Sequence, residues 1–133
     1  LPSIIFAVAC FISFSTGTSW GTFGILIPIV LHVFPAGSEL AVIGMSACLA
    51  GSVCGDHCSP ISDTTIMSSA GAQCEHVNHV STQLPYAITV AAVSFVAYLI
   101  TGFVQSWVIM LPVYVAMLVG TLYALRSMNA RKA

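Results

Sequence analysis

Two aspartates stand in one short polar run, GDHCSPISDTT, residues 55–65, within a chain that is otherwise almost wholly apolar. An ionised aspartate at the centre of a membrane helix costs about 2.5–3.5 kcal/mol, so an uncompensated pair would cost roughly 5–7 kcal/mol. A proton, a bound cation or a wet cleft relieves that cost. The first two compete for the same oxygen. A carboxylate that must hold either H⁺ or Na⁺ exchanges one for the other, and that competition plus alternating exposure is enough to couple the two fluxes. Ligands for a hard cation such as Na⁺ surround the pair: Asp56 and Asp63 themselves, the hydroxyls of Ser59, Ser62 and Thr64, and carbonyls released where the preceding helix ends. The negative end of that helix dipole points at the same place. His57, next to Asp56, is a candidate proton relay, the plainer alternative being a hydrogen bond that orients Asp56.

A second polar interruption, STGTSWGT at residues 15–22, offers Thr16, Thr18 and Ser19 as further oxygen ligands, with Gly17 and Gly21 to allow a tight tip. The apolar runs on either side, residues 2–14 and 23–34, are each about 20 Å as helix and too short to cross a bilayer alone. Backbone exposed at membrane depth is tolerated only against protein or a water-filled cavity. A re-entrant hairpin over residues 1–34 satisfies this. A discontinuous spanning helix is the competing geometry.

These two interruptions set the elements that must position them. Residues 39–70 read as a discontinuous helix. Its first part ends at Gly55 as a C-terminal cap, and its second restarts with Ser59 as N-cap and Pro60 at the first helical position. Ala47, Gly51 and Gly55, four residues apart, form a stripe along which another backbone can approach closely. Two interrupted elements that face each other near the bilayer midplane are the sequence pointer to a secondary-transporter site.

Of the 133 residues, 58% are hydrophobic and 5% charged, which excludes a water-soluble globule. Residues 80–125 carry no Asp, Glu, Lys or Arg. As straight helix they would reach about 69 Å, more than twice a hydrocarbon core, so the run folds back into two spanning helices, residues 85–105 and 107–125. Trp107 and Tyr123 suit interfacial anchoring, and residues 73–83 form a polar loop before the first span. Arg126, Arg131 and Lys132 make residues 126–133 a basic tail, which by the positive-inside rule puts the C-terminus in the cytoplasm. The fold class is therefore an all-α polytopic membrane protein, and the chain reads as one transmembrane unit of a longer protein.

SFSTGTSWGTFGILIPI, GSVCGDHCSPISDTTIMSSAGA and EHVNHVSTQLPYA together resemble the C-terminal part of NhaC-type Na⁺/H⁺ antiporters. That resemblance implies an ion-transporter-like fold of two inverted repeats, this chain holding the second repeat's hairpin and discontinuous helix. It also implies a bacterial inner membrane, with Na⁺, H⁺, the lipid bilayer and the remaining N-terminal part as partners and a homodimer left open. Relatives exchange other solutes, including malate against lactate or an aromatic amino acid, so an organic-solute exchanger stands as the alternative. An uncoupled cation channel is the alternative from another class.

Other readings fit poorly. Three scattered cations give no basic stripe for nucleic acid. Five cysteines suit small buried residues better than a disulfide framework. No zinc is expected, because Asp56 and Pro60 intrude around Cys54 and Cys58 and the spacing of His76 and His79 is tighter than structural zinc sites use. No other cofactor is implied. The intramembrane aspartyl protease signature GxGD fails at Val53, and the GxSx elbow of a rhomboid-type serine is missing because Thr18 precedes Ser19, so no enzyme is expected.

Overall fold

A computed structural model describes residues 1–35 and 37–130; Arg131 and Lys132 of the expected basic tail lie outside the described residues. The first apolar stretch winds into two arms, α1 (Pro2–Thr16) and α2 (Ser19–Val33), each 15 residues long. Gly17 stops α1 by turning left-handed at φ 69° and returning its N–H to the Ser13 carbonyl at 2.8 Å. Thr18 then caps α2, its hydroxyl accepting the Gly21 N–H. The interruption is thus Gly17 and Thr18 alone, narrower than the expected 15–22. The reason is local: the hydroxyls of Ser15, Thr16 and Thr22 fold back onto Phe11, Ile12 and Thr18 carbonyls at 2.8, 2.9 and 2.8 Å, so these polar residues continue their helices.

Leu1, Ile4 and Ile5 at the start of α1 face Ile29, Val30 and Val33 at the end of α2, so the arms run antiparallel as a hairpin. Each arm is about 22 Å long, short of a hydrocarbon core of about 30 Å.

Ser38 caps the next helix by accepting the Ala41 N–H at 3.1 Å, and α3 (Glu39–Cys58) follows. It runs one turn further than the sequence pattern implies. Gly55, Asp56, His57 and Cys58 are all helical, and the unwound link is Ser59 to Ser62. Gly55 does not cap the helix: a Cβ there would run into the Cys10 carbonyl, and one at Gly51 into the Phe6 carbonyl. Both glycines serve close backbone approach of α1 on α3, as the small-residue stripe implies. The restart is correspondingly later, with Ser62 rather than Ser59 as N-cap of α4 (Asp63–Gly71).

The expected loop 73–83 is mostly helix. α5 (His76–Val104) begins after a short turn in which Gln73 takes φ 53°, and it runs through Pro85 to Gln105, a left-handed cap at φ 51°. Polar composition misleads here because His76 and Gln83 bond carbonyls of other segments, while the hydroxyls of Ser81 and Thr82 fold back onto the Asn78 and His79 carbonyls of their own helix. α6 (Trp107–Ala130) completes the chain and packs principally on α5. Tyr98 links α5 to Ser46 of α3 at 2.9 Å, and Thr101 links it to Tyr114 of α6 at 2.6 Å. Phe6, Ile43, Ala47 and Tyr98 form one apolar core where α1, α3 and α5 meet. Glu39–Cys58, His76–Val104 and Val108–Met128 are long and apolar enough to span.

The glycine contacts are testable in the full-length protein. Gly51→Ala and Gly55→Ala should each destabilise it by about 1–3 kcal/mol, the usual cost of overpacking. Gly120→Ala, where an added Cβ meets nothing within 4 Å, should not. Thermal unfolding in detergent reads the difference.

Candidate ion-binding site

The hairpin tip and the helix break meet. Ser59 Oγ donates to the Phe14 carbonyl at 2.8 Å, and the Ile61 carbonyl lies 2.8 Å from where a Cβ on Gly17 would stand, so only glycine fits at the tip. Asp56 lies at this junction, in the last turn of α3, with 2% of its surface exposed. Three hydroxyls surround its carboxylate. Ser62 Oγ donates to Oδ1 at 2.7 Å, Thr64 Oγ1 donates to Oδ2 at 3.1 Å, and Ser19 Oγ approaches Oδ2 at 3.4 Å. Ser62 and Thr64 also touch each other, Oγ to Oγ1, at 2.7 Å.

Helix ends account for the choice of partners. Ser62 is the N-cap of α4, and Ser19 is the first residue of α2. Two helix N-termini, each carrying a partial positive charge, therefore converge on one carboxylate, while the negative end of α3 lies alongside. The hydroxyls are neutral and can rotate, donating to a bare carboxylate or turning lone pairs toward a cation. The arrangement can stabilise an anion, a proton or a hard cation at the same oxygens.

The remaining expected ligands are distributed around this cluster rather than in it. Asp63 is exposed, and its carboxylate accepts the Thr64 N–H at 2.8 Å, a helix-start bond. Thr16 bonds the Ile12 carbonyl and, at 3.4 Å, Thr22. Thr18 is occupied as the α2 cap, and Ser59 ties the link to the hairpin. His57 is exposed and lines an apolar cavity of about 590 Å³ with Phe6, Val53 and Tyr86. It is not among the described hydrogen-bond partners of Asp56.

Two features escaped sequence reasoning. Ser13, one turn before the tip, is fully buried, and its Oγ has no hydrogen-bond partner among the described residues. His76 and Gln83 reach the break from α5, through Pro60 and His57 carbonyls. Ser13 lies inside an apolar run, which carries no signal. His76 and Gln83 sit in a motif whose polarity resembles that of a solvated loop.

The profile of the Na⁺/H⁺ antiporter family matches residues 1–103. The chain belongs to this family. An uncharacterized protein of Haemophilus influenzae is 55% identical over 107 residues, covering 80% of the chain and 21% of that protein. The malate-2H⁺/Na⁺-lactate antiporter of Bacillus subtilis is 30% identical over 100 residues, 74% of the chain and 21% of its own length. An arginine/ornithine antiporter of Halobacterium salinarum is 31% identical over 108 residues, 76% and 22% respectively. The chain thus spans about one fifth of the relatives it matches. No solved structure gives a significant match. Within this segment, the junction of hairpin tip and helix break is where Ser19, Ser62 and Thr64 gather around Asp56.

Ser62 carries both the α4 cap and the shortest bond to Asp56. In the full-length protein Ser62→Ala should lower stability by about 0.5–2 kcal/mol, the usual cost of a lost cap. Ser62→Thr, which keeps the hydroxyl, should recover most of it. Denaturation midpoints of the two variants check this.

Proposed function

We propose that this segment carries the ion-binding half-site of a secondary transporter that exchanges Na⁺ for H⁺, with Asp56 as the group that alternates between them. One observation supports the reading above the others: Asp56 is buried, yet its described partners are three neutral hydroxyls and no Lys, Arg or His. A buried carboxylate without a fixed counter-charge is costly unless something mobile neutralises it. A proton and Na⁺ are the two species that do so at one oxygen. Ser19, Ser62 and Thr64 would complete a hard-cation shell with carbonyl oxygens, and the rest of the transporter would supply the remaining walls.

Asp63 has a different part. Exposed at the start of α4 beside Thr64, it attracts cations toward the junction and stabilises the helix start, with Asp56 as the exchanging group. Thr16, Thr18 and Ser59 hold the tip and the link in register. His57, which lines the cavity beside α5, is the proposed proton relay between that cavity and neighbouring Asp56. The setting is a bacterial inner membrane with the C-terminus in the cytoplasm. Arg126 is the described member of the basic cluster that favours this orientation.

A second reading rests on the α2 and α4 N-termini converging on the same cluster. Half-helix N-termini point at anionic substrate groups in other transporters, so an organic anion could be the counter-substrate. Relatives named as malate/lactate and arginine/ornithine antiporters fit that reading.

Sodium-gradient-driven pH change in inside-out vesicles of the full-length protein separates these. Asp56→Asn should abolish exchange while leaving expression intact, whereas Asp63→Asn should leave residual flux with a raised KM for Na⁺. Flux with Na⁺ alone favours simple antiport, and flux that requires added malate, lactate or tyrosine favours the second reading. Unchanged exchange in Asp56→Asn rejects both. Conductance that neither saturates nor couples ions points to a channel instead.

A further inference from the structure

The third sequence motif, EHVNHVSTQLPYA at residues 75–87, has no part in the ion shell, yet it touches the break at two points. We propose that the first two turns of α5 are a brace that sets the geometry of the Asp56 site, with His76 and Gln83 as its positioning residues. This rests on Asp56 being the exchanging group.

His76 spans the break. Its Nε2 lies 2.6 Å from the Pro60 carbonyl, in the unwound link, and its Nδ1 lies 3.1 Å from Ser69 Oγ, near the end of α4. Gln83 Nε2 donates to the His57 carbonyl, in the last turn of α3, at 3.3 Å. Positions i and i+7 fall on one face of a helix, two turns apart. One face of α5 therefore holds the end of α3, the link and α4 together.

The chemistry explains why donors are needed there. The last four carbonyls of a helix have no intrahelical partner, and an unpaired carbonyl at membrane depth is expensive. α3 ends and the link begins within a few residues of Asp56, so carbonyls accumulate where the ion shell must be stable. Side-chain donors from α5 satisfy two of them without adding a fixed charge beside the carboxylate.

Proton bookkeeping on His76 strengthens the assignment. A carbonyl only accepts, so Nε2 must carry a hydrogen. In the neutral ring Nδ1 then accepts from the Ser69 hydroxyl, which must give up its 2.9 Å bond to the Ile66 carbonyl.

Its leverage on the site is short. Pro60 lies between Ser59, bonded to the hairpin, and Ser62, bonded to Asp56 Oδ1 at 2.7 Å. Releasing the Pro60 carbonyl frees the link to carry Ser62, and with it Thr64, away from the carboxylate.

The test uses the full-length transporter in lipid nanodiscs, with amide hydrogen exchange over residues 59–66 and Na⁺-driven flux read on the same variants. Loss of one hydrogen bond should speed exchange and raise the KM for Na⁺ by about three- to tenfold in His76→Ala, with a smaller change in kcat. Gln83→Ala should act in the same direction. His76→Gln, whose amide can still donate to Pro60, should restore both readouts toward wild type, which a merely structural loss would not. Should His76→Ala fail to fold, Gln83→Ala and Ser69→Ala carry the same comparison. Unchanged exchange over 59–66 in the Ala variants overturns the brace. A loosened link with an unchanged KM overturns its positioning role. If wild type shows no Na⁺-driven flux, the Na⁺/H⁺ reading fails on its own, and the amide exchange still decides whether α5 braces the link.

Discussion

Burying one carboxylate among neutral donors is the constraint that organises this chain. Asp56 is nearly inaccessible, and its hydrogen-bond partners among the described residues are three hydroxyls at or near helix starts. To bring Ser19 there, α1 and α2 must fold back as a hairpin whose tip touches the link. To let that tip approach, α3 must present glycines where α1 crosses it. To bring Ser62 and Thr64 there, α3 must stop and α4 must begin within a few residues. The two interruptions at Gly17–Thr18 and Ser59–Ser62 thus meet at a single buried carboxylate.

The way the charge is compensated matters as much as its burial. A lysine or arginine at hydrogen-bond distance would neutralise Asp56 permanently and leave no role for a mobile ion. Hydroxyls and two helix N-termini instead supply diffuse positive potential that does not compete for the site in a fixed one-to-one pairing. This is the setting on which the proposed exchanging role of Asp56 rests.

The helical architecture, the hairpin and the presence of a break near Asp56 were legible in the sequence, because apolar length, Gly-rich tips and buried acidic residues each carry a direct energetic signal. The small-residue stripe was legible too, and Gly51 and Gly55 do meet the α1 backbone. The position of the break was not. Gly55 is ambiguous between a helix cap and a packing residue, and only the crossing of α1 decides for packing. Polar residues misled twice. The hydroxyls of Ser15, Thr16 and Thr22 bond their own helices, so the first break shrank to Gly17 and Thr18. The polar start of α5 read as loop because its partners, the Pro60 and His57 carbonyls, lie far away in sequence. Asp56 and Asp63 look equivalent in a string of letters, yet one faces the hairpin and the other the start of α4, a distinction that depends on helical phase at the break.

The backbone contact between α1 and α3 has a mechanical consequence. With no side chains between them at Gly51 and Gly55 to deform, the hairpin and the broken helix are geared together and must travel as one piece. Any relative movement of the helices then falls to softer seams, those filled by side chains, such as the apolar cleft beside α5 or the outer contact of α6.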